Sequence, residues 1–63
     1  MELMLFITNT NKPVYINPEY VESVSEYDDE TCRIFTAHSE EYYLVRGSLT
    51  DIINDLRGKR SLR

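Results

Sequence analysis

The apolar positions of this chain change their period once, and that change divides it into a strand-rich stretch and a helix. From Ser48 to Leu56 the residues Leu49, Ile52, Ile53 and Leu56 stand at i, i+3, i+4 and i+7, which at about 100° per residue places them on one face of a helix. Ser48 stands at the N-cap position, and Asp51, three residues on, brings a carboxylate to the positive end of the helix dipole. Gly58 marks the stop after Arg57. A helix of about ten residues is marginal alone in water, so its apolar stripe implies a sheet to lie on.

Before the helix, alternation predicts short strands separated by turn chemistry. Leu3 to Thr8 reads as a strand in which Leu3, Leu5 and Ile7 alternate with Met4 and Phe6. Both of its faces are apolar, a pattern that calls for one cover from the domain's own core and another from elsewhere. Asn9-Thr10-Asn11-Lys12 predicts a hairpin turn, since asparagine tolerates positive φ. The returning strand, Pro13 to Ile16, sets Val14 and Ile16 against Tyr15. Asn17-Pro18-Glu19 predicts one helical or 3₁₀ turn, with asparagine capping and proline holding φ ready. Val21 and Val24 are three apart, which suits a turn running into a strand from Ser23 to Tyr27. Asp28-Asp29-Glu30 turns the chain into Thr31 to Ala37, where Cys32, Ile34 and Thr36 alternate with Arg33 and Phe35. His38-Ser39-Glu40 connects this to a last strand, Glu41 to Arg46, and Gly47 lets that strand bend into the helix.

The expected fold is therefore α+β: a small antiparallel meander of about five strands closed by one C-terminal helix. Residues 1–57 form the domain and residues 58–63 a basic tail. At 63 residues only about 60% of the unfolded chain's surface can be buried, and domains of this size commonly gain stability from a disulfide, a metal or a partner subunit. The single cysteine, Cys32, excludes an internal disulfide. One cysteine with one histidine cannot supply four ligands to a structural zinc. Association is what remains. No apolar run approaches the roughly 20 residues of a membrane span, and no leader pattern opens the sequence, so a cytoplasmic protein is expected.

That association needs a surface. Met4, Phe6, Phe35, Tyr43 and Val45 are expected to gather on the sheet face away from the helix, as an interface for a symmetric homo-oligomer or a protein partner. The competing expectation is that strand curvature rolls several of them into one barrel-like core.

Charge narrows the partners. The net charge is −4, but Arg57, Lys59, Arg60 and Arg63 are crowded into the last seven positions, and residues 1–56 hold eleven carboxylates against three cations, a balance of −8. Such a body repels phosphate backbones, which makes nucleic acid an unlikely partner except through the basic tail. The carboxylates, Glu19 to Glu41 among them, also admit an acidic inhibitor that imitates a nucleic acid. Catalytic and cofactor readings find no constellation. His38 reads as an exposed polar turn residue rather than a general base, Cys32 alternates within a strand as a small apolar filler would, a pair of the two has no third group to orient it, and Glu40 and Glu41 point to opposite faces of a strand. The glycines, Gly47 and Gly58, form no phosphate loop. A non-enzymatic chain with no cofactor is expected.

Asn17-Pro18-Glu19, the Val21 and Val24 pair, Asp28-Asp29 before Thr31, the strand with Tyr43 and Val45, and the closing helix together resemble the small FlbD-like (SwrD-like) flagellar proteins over about Leu5 to Leu56. The glycines usual in that family's first and third turns are replaced here by Asn11 or Lys12 and by Ser39 or Glu40. The resemblance implies a non-enzymatic accessory role near flagellar regulation or motor output. A shorter stretch, Glu41 to Leu56, is similar to the middle of a LytTR-type DNA-binding domain. The basic and aromatic strands that follow in that family have no counterpart here, where only Arg57 to Arg63 remains.

Overall fold

The computed structural model describes residues 3–37 and 39–58. It is an α+β arrangement of five antiparallel strands and one helix: β1 (Met4–Ile7), β2 (Pro13–Ile16), β3 (Val21–Asp28), β4 (Thr31–Thr36), β5 (Tyr42–Arg46) and α1 (Leu49–Arg57). The strands do not make a single continuous meander. β1 and β2 form a two-stranded hairpin, and β3, β4 and β5 form a separate three-stranded sheet. The two are stitched at one point, where Thr8 bridges Val45 and the Asn9 N–H donates to the Leu44 carbonyl at 3.1 Å.

Local chemistry accounts for the connections. Between β1 and β2, Asn11 takes a φ of +65°, a conformation that asparagine tolerates better than most residues. Its N–H donates to the Thr8 carbonyl at 2.9 Å, and the Thr8 N–H donates to the Lys12 carbonyl at 2.8 Å. This is the three-residue hairpin loop that ends in a left-handed residue. Pro18–Tyr20 forms the expected 3₁₀ turn, with Asn17 Oδ1 accepting from the Glu19 N–H at 3.0 Å and Pro18 fully buried. Asp28 Oδ1 accepts from the Glu30 N–H at 2.9 Å and tightens the turn into β4. Ser48 caps α1 by accepting from the Asp51 N–H at 3.2 Å. Gly58 closes α1 in a right-handed conformation, with φ −72°. The stop lies where the sequence put it, but it does not use glycine's access to positive φ.

β3 begins two residues earlier than its alternation suggests. Its ladder with β4 slips between Val21 and Ser23, and again between Glu26 and Asp28. Each slip is a bulge, in which one extra residue on β3 shifts the phase of the side chains that follow. The first bulge explains how Val21 and Val24, three apart, both face the core.

That core is made by the hairpin, the three-stranded sheet and the helix together: Met4, Phe6, Ile16, Val21, Cys32, Ile34, Val45, Ile52 and Leu56 are buried, with Val14, Val24 and Leu49 packed against them. The helical stripe is narrower than its four apolar positions imply. Ile52 and Leu56 are buried, while Leu49 and Ile53 are half-buried at its margins. Among the described residues no polar or charged side chain is buried, so the fold rests on apolar packing and backbone pairing.

Candidate functional site

The five residues expected to share an outer face do not share one. Met4, Phe6 and Val45 lie in the core, which corrects the expectation of a single apolar face away from the helix. The reason is that the hairpin folds over the same side of the sheet that the helix covers, and it turns Met4 and Phe6 inward. Tyr43 pairs with Ile34 and Phe35 with Tyr42, so Tyr43 and Phe35 stand on opposite faces of the β3–β5 sheet. Of the basic tail, Arg57 is exposed at the end of α1, while Lys59, Arg60 and Arg63 lie outside the described residues, as does His38.

Turning Met4 and Phe6 inward exposes the other half of β1. Leu3 is 53% exposed, Leu5 51% and Ile7 39%, and Tyr15 on β2 is 62% exposed. Leu5 stands directly opposite Tyr15, and Ile7 opposite an exposed Pro13. The Thr8 N–H bonded to the Lys12 carbonyl fixes the phase of the ladder. Backbone groups alternate sides along a strand, so Met4 and Phe6 face β2, and Leu5 and Tyr15 form a pair without mutual hydrogen bonds, the kind in which side chains lie closest. Pro13, which has no N–H to give, falls in the other such pair. The outcome is an apolar patch of Leu3, Leu5, Ile7 and Tyr15 on the hairpin's outer face, and an exposed patch of this kind often marks a contact surface.

The outer face of the β3–β5 sheet is different, because its large groups already have partners. The Arg33 guanidinium carbon lies 4.9 Å from the ring centre of Tyr27 and 5.7 Å from that of Tyr42. Arg33 also donates to the Glu26 carbonyl at 3.2 Å. Phe35 and Tyr42 meet at 5.3 Å between ring centres, tilted by 51°. A cation over aromatic faces with a tilted ring pair is a self-contained arrangement worth about 1 kcal/mol per contact. It keeps a solvent-facing sheet ordered without calling for anything else.

Asn9, Asp28, Asp29, Glu30, Thr31 and Arg46 line an open depression of about 380 Å³ at the end of the sheet. It combines three carboxylates with one guanidinium. Among the described residues no group of three or more His, Cys, Asp and Glu side chains has the spacing to hold a metal ion. Cys32 is fully buried, and its Sγ donates to the Gly47 carbonyl at 3.3 Å. Burial pushes its thiol above the usual range, and the charges of Glu26 and Asp28 add to that. A raised thiol is a poor nucleophile near neutral pH, so Cys32 acts as core filler.

The signal that could have located the patch was present in the five consecutive apolar residues Leu3 to Ile7, which include all of β1. What alternation could not give was its phase. No helix among the described residues is long and apolar enough to cross a membrane. No family model matches this chain, and no curated protein or solved structure matches it either.

Proposed function

We propose that this chain is a small, non-catalytic protein-interaction module whose contact surface is the outer face of the β1–β2 hairpin. The observation that carries the proposal is the row Leu3, Leu5 and Ile7 with Tyr15 beside it, left largely in water by a fold that has already filled its core. Each of these side chains is about half exposed, so covering it stabilises a complex by about 1 kcal/mol. A domain of 63 residues whose core cluster holds nine buried hydrophobic side chains among the described residues gains much from such a cover. The resemblance to the FlbD-like proteins supports the same kind of role, that of an accessory protein which acts by contact rather than by chemistry.

A photoreactive amino acid placed at Leu5 tests this reading in cells. It is expected to give one discrete protein adduct, which is missing when the same group replaces exposed Glu22 and is lost when Tyr15→Glu is added to the Leu5-labelled chain. A labelled chain that gives no adduct, or the same smear from both positions, overturns the proposal.

A further inference from the structure

We infer that the free edge of β2 takes a second copy of the chain, by antiparallel pairing of β2 with β2 across a two-fold axis at Tyr15. This contact runs along the edge of the hairpin and stands apart from the outer-face contact proposed above.

The first support is the state of the edges. Through the Thr8–Val45 bridge the strands stand in the order β2, β1, β5, β4, β3, so β1 is flanked on both sides and β2 is terminal. The Thr8 N–H bonded to the Lys12 carbonyl sets the ladder so that Val14 and Ile16 face β1 with their backbone groups. Alternation then turns the N–H and C=O of Tyr15 outward. Asn17 is still extended, with φ −73° and ψ 115°, so its N–H points the same way. No other strand takes these groups among the described residues. β3, the terminal strand at the far end, is blunted by Glu22, Glu26 and two bulges.

β2 opens with Pro13, a residue that ordinarily protects an edge by removing a donor. A second copy matches that defect. The axis at Tyr15 sets Tyr15 against Tyr15 of the partner subunit and Pro13 against Asn17 of the partner subunit. The N–H that proline lacks would have gone to the Asn17 carbonyl, which already accepts from the Tyr20 N–H at 3.0 Å. The Pro13 carbonyl is left to accept from the N–H of Asn17 of the partner subunit. The pair thus closes with two hydrogen bonds between the tyrosines and one at each end.

Charge is the second support. β2 itself is neutral, but Lys12 precedes it and Glu19 follows it, both exposed. Antiparallel pairing exchanges the ends of the strand, so Lys12 comes to the turn that carries Glu19 of the partner subunit, and the same contact recurs at the other end. Residues 1–56 carry −8, and two copies repel over most of their surface. Along β2 they meet with opposite charges in a reciprocal arrangement, as a two-fold contact requires.

Purified full-length chain and its variants provide the test. Light scattering coupled to size exclusion is expected to show a dimer. Lys12→Glu and Glu19→Lys should each raise its dissociation constant about tenfold, because each sets like charges together at both ends. The chain carrying both changes should regain most of the lost affinity. Circular dichroism should be the same in all three, since both side chains are exposed. The Tyr15 amide should resist hydrogen exchange at high concentration and exchange freely on dilution, while the Thr8 amide, bonded within the hairpin, should not respond. In Tyr15→Cys the two α-carbons stand about 5.5 Å apart, within the range a disulfide spans, and mild oxidation should link the copies, with buried Cys32 not competing. In Leu5→Cys they stand three strand spacings apart, about 14 Å, and no link should form. A chain that stays monomeric at high concentration overturns the inference. So does a double charge variant no better than the single ones, or efficient linking through Leu5→Cys, which signals stacking of the outer faces.

Discussion

Gly47 and Ile52 meet where the sheet turns into the helix, and they meet without room for a β-carbon. Gly47 has a φ of +136°, and a Cβ built on it would sit 2.9 Å from Ile52 Cδ1 and 3.3 Å from Cγ1. The same residue donates its N–H to the Glu30 carbonyl at 2.7 Å and accepts from Cys32 Sγ through its own carbonyl. Ile52 is thereby set into the core by a bend that only glycine makes without strain.

Gly47→Ala should therefore destabilise the protein by about 1–3 kcal/mol, the cost of holding a side chain in a sparsely populated backbone region. Urea unfolding of the alanine variant measures it. Adding Ile52→Val removes the atom in closest contact but leaves the backbone strain, so the double variant should not recover the loss. Wild-type stability in Gly47→Ala would mean that the bend relaxes.

The helix is docked through Ile52 and Leu56 more than through Ile53. Ile52→Ala is expected to cost about 2–5 kcal/mol, as truncation of a buried isoleucine does. Ile53→Ala, at a half-buried margin, should cost clearly less. Chemical denaturation of the two variants side by side decides it, and equal losses would place both in the core.

Asn11 carries the positive φ of the hairpin loop. Asn11→Gly should leave stability the same or raise it slightly, whereas Asn11→Val should lower it by about 1–2 kcal/mol because a branched β-carbon is disfavoured in the left-handed region. A shift in the melting temperature of Asn11→Val is the readout. Hydrogen exchange at Thr8 and Asn11 should accelerate in the same variant, since both amides bond within this loop.

Cys32 makes a prediction about alkaline pH. Its thiol is raised in the folded state, so above the unfolded value of about 8.5 the unfolded chain loses a proton that the folded chain keeps. The thiol's contribution is complete below that pH and is lost as pH rises through the folded value. Stability should fall on the alkaline side, and Cys32→Ala should flatten that slope while costing stability at neutral pH through lost packing. Labelling with a thiol reagent at neutral pH should proceed at the rate at which the chain opens, and rapid labelling of the native protein would contradict the burial of Cys32.

Much of this architecture was legible residue by residue because the signals are local. Asn17 with Pro18, Asn11 in the loop, Ser48 before the helix and Gly47 at the bend each satisfy or free particular backbone groups within a few residues, and they do so wherever the rest of the chain goes. The helix and the turns follow from that, and so do the strands between them to within a residue or two. β1 was harder, because both of its faces are apolar and a shift of one residue exchanges them. The bulges in β3 were hidden too: the first keeps Val21 and Val24 both toward the core within one strand, where their spacing suggested a turn running into a strand.

The sequence by itself determined where this chain turns, caps and changes period, since those choices are settled by the φ preferences and hydrogen-bonding reach of single side chains. Tertiary structure alone decided that the hairpin folds over the side of the sheet that the helix covers, so that Met4, Phe6 and Val45 go in and Leu3, Leu5 and Ile7 stay out. Both phases of β1 offer large apolar side chains, and the choice between them depends on close packing with residues far away in sequence, Ile34, Val45 and Ile52 among them, which no local pattern encodes.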